Sequence, residues 1–213
     1  MEADTGKILS MVSKPDYDPN NIYADWETLN TDEENSPLLN RATSGSYAPG
    51  SVFKIVTTLA YMRQDSNYSA YTYDCSGSIT MDNTTIPCFN NAVHGFEDLR
   101  SSFANSCNSS FANIGLSLDI EGYRNTEEDL LFNSSLPSVL DYTKSSFALD
   151  EESNTAEIMM TAMGQGETTV SPYHMALITQ AVANGGTLME PYLVEQVTNY
   201  TGTEVRRNVP KSY

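Results

Sequence analysis

Positive charge is scarce in this chain. Eleven Lys and Arg face 28 Asp and Glu among 213 residues, a formal net charge of −17. That balance excludes general affinity for nucleic acid or anionic lipid, because both need clustered Lys and Arg. High negative charge favours solubility and identifies no partner. Long hydrophobic runs are absent as well: no stretch approaches the roughly 20 apolar residues that span a bilayer. Met1 is followed by Glu2, Ala3 and Asp4 where a signal peptide would carry basic residues. Histidine occurs only at positions 94 and 174, and there is no Cys-x-x-Cys, so the spacing offers no metal site and none is expected.

What is present is a chain with 39% hydrophobic and only 18% charged residues, which is not the composition of a disordered protein. Its length suits one ordinary domain or most of a larger one, able to bury roughly 70% of the surface its unfolded form exposes. Three cysteines remain to be placed. Cys75 and Cys88 flank a segment of strand and turn character, residues 76–87, and a hairpin there would bring them together. An oxidising compartment could then link them; isolated thiols are the alternative. Cys107 stands apart in the sequence.

Hydrophobic spacing gives a coarse element map. Residues 5–14 read as a strand, followed by a loop broken by Pro15 and Pro19. Residues 21–50 are polar and turn-rich, with a short helix expected near 37–41. Apolar positions 52, 55, 56, 59, 60 and 62 predict a buried helix, with Ser51 at its N-cap or in its first turn. A hairpin region is expected at 71–92 and two helical pieces at 98–118. Surface helix and long loop follow at 119–155, and a buried helix at 173–184 ended by Gly185-Gly186. Strand, helix and loop mix without βαβ alternation, which predicts an α+β fold.

Two patterns carry chemistry. Ser51-x-x-Lys54 at a helix start puts a hydroxyl and an amine on one face. The positive end of the helix dipole helps stabilise a serine alkoxide there. A lysine made neutral by burial could take the serine proton. Ser106-Cys107-Asn108 puts a proton-passing hydroxyl two residues from an amide that can both donate and accept. Either pattern alone is matched by chance in a chain this rich in serine. An N-cap serine with a snorkelling lysine, and a polar inter-helix stretch, are the alternatives.

Together, Ser-x-x-Lys followed by Ser-x-Asn resembles the signature of penicillin-binding proteins and serine β-lactamases. Further pieces follow in that family's order. They are Thr5-Gly6-Lys7-Ile8-Leu9, Tyr47-Ala48-Pro49-Gly50 before the serine, Cys75-Ser76-Gly77, His94-Gly95, Gly164-Gln165-Gly166 with Ser171-Pro172, and Pro191-Tyr192-Leu193-Val194. The resemblance implies a β-lactamase/transpeptidase-like fold: an antiparallel sheet flanked by helices plus a mostly helical subdomain. It implies Ser51 as acylated nucleophile, Lys54 as its base, Ser106 as proton relay and Asn108 as the group that positions the substrate amide. The implied reaction is D,D-transpeptidation of peptidoglycan stem peptides ending in D-Ala-D-Ala, with β-lactam antibiotics as mimics that acylate the same serine. No cofactor is implied.

The family's third motif, Lys-Thr-Gly or Lys-Ser-Gly, is not found. Of the five lysines, Lys7, Lys14, Lys54, Lys144 and Lys211, none precedes Thr-Gly or Ser-Gly. Tyr200-Thr201-Gly202 reads as a hairpin turn. The expectation is therefore a partial transpeptidase domain over residues 1–213, with its sheet incomplete and with little or no activity by itself. The expected parent would be anchored at the extracytoplasmic face of a bacterial cell membrane, possessing a non-catalytic N-terminal region and the third-motif strands, within reach of a cell-wall synthesis complex. A serine β-lactamase is one alternative, needing a carboxylate to activate water; Glu128 and Glu167 are the candidates nearest in sequence. A β-lactam sensor or scaffold domain of the same fold is another, and an unrelated acidic binding domain a third.

Overall fold

A computed structural model describes all 213 residues. In chain order its elements are α1 (Ile22–Thr31), α2 (Lys54–Gln64), β1 (Thr72–Cys75), β2 (Ser78–Met81), β3 (Thr84–Pro87), β4 (Gly95–Asp98), α3 (Leu99–Ala104), α4 (Asn108–Ser117), α5 (Ile120–Asp129), α6 (Thr155–Ala162), α7 (Pro172–Ala183), β5 (Gln196–Thr198) and β6 (Glu204–Arg207). The fold is α+β. Its strands form three antiparallel pairs, β1 with β4, β2 with β3 and β5 with β6, and no larger sheet.

The chain divides into two units. One comprises Tyr47–Ser134 and Ser145–Thr169. Its helices α2, α4, α5 and α6 pack on one another, and the β2–β3 hairpin lies on α4 and α6. Phe53, Val56, Ala60, Phe111, Ala112, Ile114, Tyr123, Phe132 and Met159 are buried there. Phe53 meets the Phe132 ring edge-on at 5.8 Å, and Tyr123 meets Phe147 at 5.1 Å. Such pairs add about 0.5–1.5 kcal/mol each beyond the area they bury. Thr57 ties three helices together: its hydroxyl reaches Tyr123 Oη on α5 at 2.7 Å and donates to the Ala162 carbonyl on α6 at 2.8 Å. Helices α4 and α6 approach closely at Gly115, where a Cβ would overlap that of Ala162.

The other unit comprises Met1–Ser46, Ser135–Lys144 and Val170–Tyr213. Its principal helix is α7, started by the Ser171 side chain accepting from the His174 N–H and by Pro172 in the first turn. Gln180 on α7 donates to the Ala3 carbonyl and accepts from the Met189 N–H.

Two local expectations are corrected here, and the turn expected at Thr201-Gly202 is present. Residues 5–14 form no strand: Lys7 bridges Tyr192, Ile8 donates to the Tyr192 carbonyl, and no strand ladder continues beyond them. A strand needs a hydrogen-bonded neighbour along its length, which alternation in sequence does not supply. The helix near 37–41 is a turn, with the Arg41 guanidinium donating to the carbonyls of Asn35 and Ser36. The helix of that polar region is α1, which buries no residue and so left no apolar periodicity to read. Thr201 and Gly202 lie in the turn joining β5 to β6, closed by the Asn199 N–H donating to the Thr203 carbonyl.

Candidate active site

All four sequence-predicted site residues fall in one unit. Ser51 lies in a 3₁₀ turn, Gly50–Phe53, directly before α2. Phe53, fully buried, anchors that turn, while Ser51 stays exposed at its start. The turn is held from behind by backbone alone: the Gly50 N–H donates to the Gly164 carbonyl at 2.7 Å. Gly164 has φ +84°, and a Cβ there would overlap the Gly50 carbonyl, so both the backbone conformation and the close approach require glycine.

Lys54 is the first residue of α2 and is 1% exposed. Its ammonium donates to the Ser106 carbonyl at 2.7 Å, the Asn108 Oδ1 at 2.8 Å and the Ser106 Oγ at 3.0 Å. Those acceptors match the three donors an ammonium carries. The Phe111 ring lies 5.3 Å away, within cation–π range. Burial pulls the Lys54 pKa from 10.5 down to about 8, opposed by the nearby Cys107, Cys88 and Glu97. The amine is thus within reach of its neutral, proton-accepting form near physiological pH.

The Ser106 end of the site is built by a tight connection between α3 and α4. Asp98 caps α3 in a capping box with Ser101. Ser106 turns the chain with φ +52°, its N–H donating to the Phe103 carbonyl. Cys107 then caps α4, its sulfur accepting from the Ser110 N–H at 3.4 Å. The Asn108 amide is oriented by its Nδ2 donating to the Pro87 carbonyl at 3.1 Å, which leaves Oδ1 for Lys54.

The structure therefore joins Lys54, Ser106 and Asn108 in one hydrogen-bonded group, with Ser51 exposed one turn ahead of Lys54. Glu128 and Glu167 are both exposed; Glu167 lines a cavity of about 670 Å³ with Asp150, Glu152 and Glu157. Sequence reasoning missed Glu97, which is 1% exposed and accepts from the Asn105 amide at 2.7 Å, with its other oxygen unpartnered. No sequence signal marked it: β4 turns Glu97 inward and leaves Phe96 exposed, the reverse of the usual apolar-inward alternation.

The cysteines also differ from expectation. All three are free and buried, and Cys107 does not stand apart: its sulfur is 3.7 Å from that of Cys88, which is 3.7 Å from that of Cys75. The expectation of no metal site rested on sequence spacing. Pairing of β1 with β4 sets Cys75 opposite Gly95, and His94 Nδ1 lies 3.4 Å from the Cys75 sulfur, which removes that ground.

The turn bearing Ser51, the buried Lys54 and the Ser-x-Asn connection thus occur together in one unit. The family described as penicillin binding protein transpeptidase domain matches residues 1–212, and the chain belongs to that family. It is 34% identical over 92% of its length to the peptidoglycan D,D-transpeptidase PbpA of Mycolicibacterium smegmatis, of which it covers 42%. Among solved structures it resembles penicillin-binding protein A from M. tuberculosis in its ceftriaxone acyl-enzyme complex. The TM-score is 0.87 at 29% identity, over the whole of this chain and 50% of that one. It also resembles the D,D-transpeptidase domain of a peptidoglycan glycosyltransferase from Eggerthella lenta, with a TM-score of 0.89 at 28% identity over 55% of that chain. The chain spans about half the length of the relatives it matches.

Proposed function

We propose that these residues are the nucleophile-bearing part of a peptidoglycan D,D-transpeptidase. The observation that carries this reading is the Lys54 amine, buried, lowered to about 8 and held by Ser106 and Asn108. Ser51 Oγ attacks the carbonyl between the two terminal D-alanines of a stem peptide, and its proton passes to neutral Lys54. The Ser51 backbone N–H supplies one donor to the tetrahedral oxyanion. Collapse breaks the amide bond, and D-Ala leaves with a proton relayed through Ser106, while Asn108 holds the donor peptide's amide. An amine of a second stem peptide then attacks the Ser51 ester, forms the cross-link and releases the serine. A β-lactam takes the same first step and stays bound as the acyl-enzyme.

Residues 1–213 form part of the domain on this proposal, because no lysine in them precedes Thr-Gly or Ser-Gly to bind the substrate carboxylate. The protein works on the extracytoplasmic face of a bacterial membrane, anchored there and working alongside other cell-wall synthesis proteins. No helix described here is long and apolar enough to cross a membrane. Fluorescent penicillin tests the reading. The 213-residue chain should acquire one adduct, mapped to Ser51, about 10²–10³-fold more slowly than M. tuberculosis penicillin-binding protein A, the usual cost of losing an oxyanion donor. Ser51→Ala should acquire none. An adduct on another residue, or one that persists in Ser51→Ala, would overturn the assignment of Ser51.

A further inference from the structure

Three thiols and one imidazole converge beside the Ser106-Cys107-Asn108 turn. The donor atoms of Cys75, Cys88, His94 and Cys107 all lie within 4.8 Å of one another. The three cysteines are at most 2% exposed and His94 is half-buried. Each donor sits at the end of an element: Cys75 closes β1, Cys88 follows β3, His94 precedes β4 and Cys107 caps α4.

We propose that Cys75, Cys88, His94 and Cys107 form a Cys₃His site for one tetrahedral divalent ion of the zinc class. The distances fit such an ion. With Zn–S near 2.3 Å and Zn–N near 2.0–2.1 Å, a tetrahedron has S···S edges of about 3.8 Å and S···N edges of about 3.6 Å. Three of the six edges are 3.7 Å for Cys75–Cys88, 3.7 Å for Cys88–Cys107 and 3.4 Å for Cys75–His94, and the other three lie within 4.8 Å. A disulfide would use two of these sulfurs and strand the third in the interior. Thiolate and imidazole donors select zinc over calcium or magnesium, which take oxygen ligands. Four protein ligands close the coordination sphere, so the ion is structural. On binding, the three thiols release their protons to solvent as three metal–sulfur bonds form, and neutral His94 contributes the lone pair of Nδ1.

The Ser109 hydroxyl is the supporting contact. It lies 3.3 Å from the sulfurs of Cys75 and Cys88 and 3.4 Å from that of Cys107, placed to donate to a bound thiolate. The consequence reaches the active site through Cys107, which stands between two acceptors of the Lys54 ammonium. The ion ties that turn to the ends of β1, β3 and β4 and so positions Ser106 and Asn108. Ion binding is independent of the acyl-transfer reading; only this consequence for acylation rests on it.

Cobalt titration of the reduced, metal-free 213-residue chain tests the site. One Co²⁺ per chain should bind with tetrahedral d–d bands and thiolate-to-metal charge transfer, and one equivalent of Zn²⁺ should displace it. Cys88→Asp should still bind one ion, with charge transfer reduced by about a third because two thiolates remain and carboxylate is an accepted ligand. Ser109→Ala removes no ligand and should weaken binding about 10–100-fold. Absence of a tetrahedral cobalt spectrum, or an unchanged spectrum in Cys88→Asp, would overturn the proposal. So would a zinc-supplied chain from an oxidising compartment that proves metal-free and two hydrogens lighter through a Cys75–Cys88 bond.

Discussion

Two ionisable side chains are sealed inside the same unit, Lys54 on α2 and Glu127 on α5, and their surroundings differ. Lys54 finds three oxygen acceptors and an aromatic face, and burial moves it only to about 8. Glu127 is fully buried with neither carboxyl oxygen hydrogen-bonded, and desolvation raises its pKa well above the usual carboxylate range. A buried charge surrounded by matching partners still titrates where it can act on a proton. One without them is driven to its neutral form and serves as packing.

The contrast can be broken most sharply at Lys54. Lys54→Ala should lower the rate of penicillin acylation of Ser51 by about 10²–10⁴-fold, the usual contribution of a positioned general base. Stopped labelling reactions would measure it. Retention of the full rate would place the base elsewhere. At Glu127 the opposite outcome is expected. Glu127→Leu, similar in volume, removes an unsatisfied polar group and should stabilise the protein by about 1–3 kcal/mol in urea denaturation near pH 4, where the unfolded carboxyl is still largely protonated. Destabilisation would mean that the carboxyl makes a favourable interaction.

The two groups also give opposite pH signatures. Glu127 holds its proton in the folded state while the unfolded chain loses it near 4.5, so its contribution to stability falls as pH rises above that value. The slope is about 1.4 kcal/mol per pH unit, and Glu127→Leu should remove it. Lys54 loses its proton more easily folded, near 8, than at its ordinary 10.5. The unfolded chain therefore binds more protons between those values, and the Lys54 contribution to stability rises with pH across that window. Acylation should also rise with pH through about 8. The smallest effect is expected for Asn108→Ala, which takes one acceptor from the charged amine. The inflection of the acylation profile should then move to lower pH, and an upward move would reverse the role given to Asn108.

Short-range chemistry was legible in the sequence, and long-range assembly was not. The spacings Ser51-x-x-Lys54 and Ser106-x-Asn108 were visible, but only the ordered resemblance to a family set them apart from chance; the structure then brings Lys54, Ser106 and Asn108 into one hydrogen-bonded group. The α+β class, α2, α4 and α7 followed from apolar periodicity. The cysteine–histidine cluster was hidden because it depends on the β1–β4 register and on the cap of α4, which bring together Cys75 with His94 and Cys88 with Cys107, each pair 19 positions apart. Helix α1 was hidden for another reason, having no buried face to leave a pattern.

Ser106 carries a further consequence. Its left-handed backbone, φ +52°, costs a residue with a side chain about 1–2 kcal/mol that glycine would escape. Ser106→Gly should therefore gain about that much stability while erasing the hydroxyl that accepts from Lys54, so the fold and the candidate site make opposite demands on this one position.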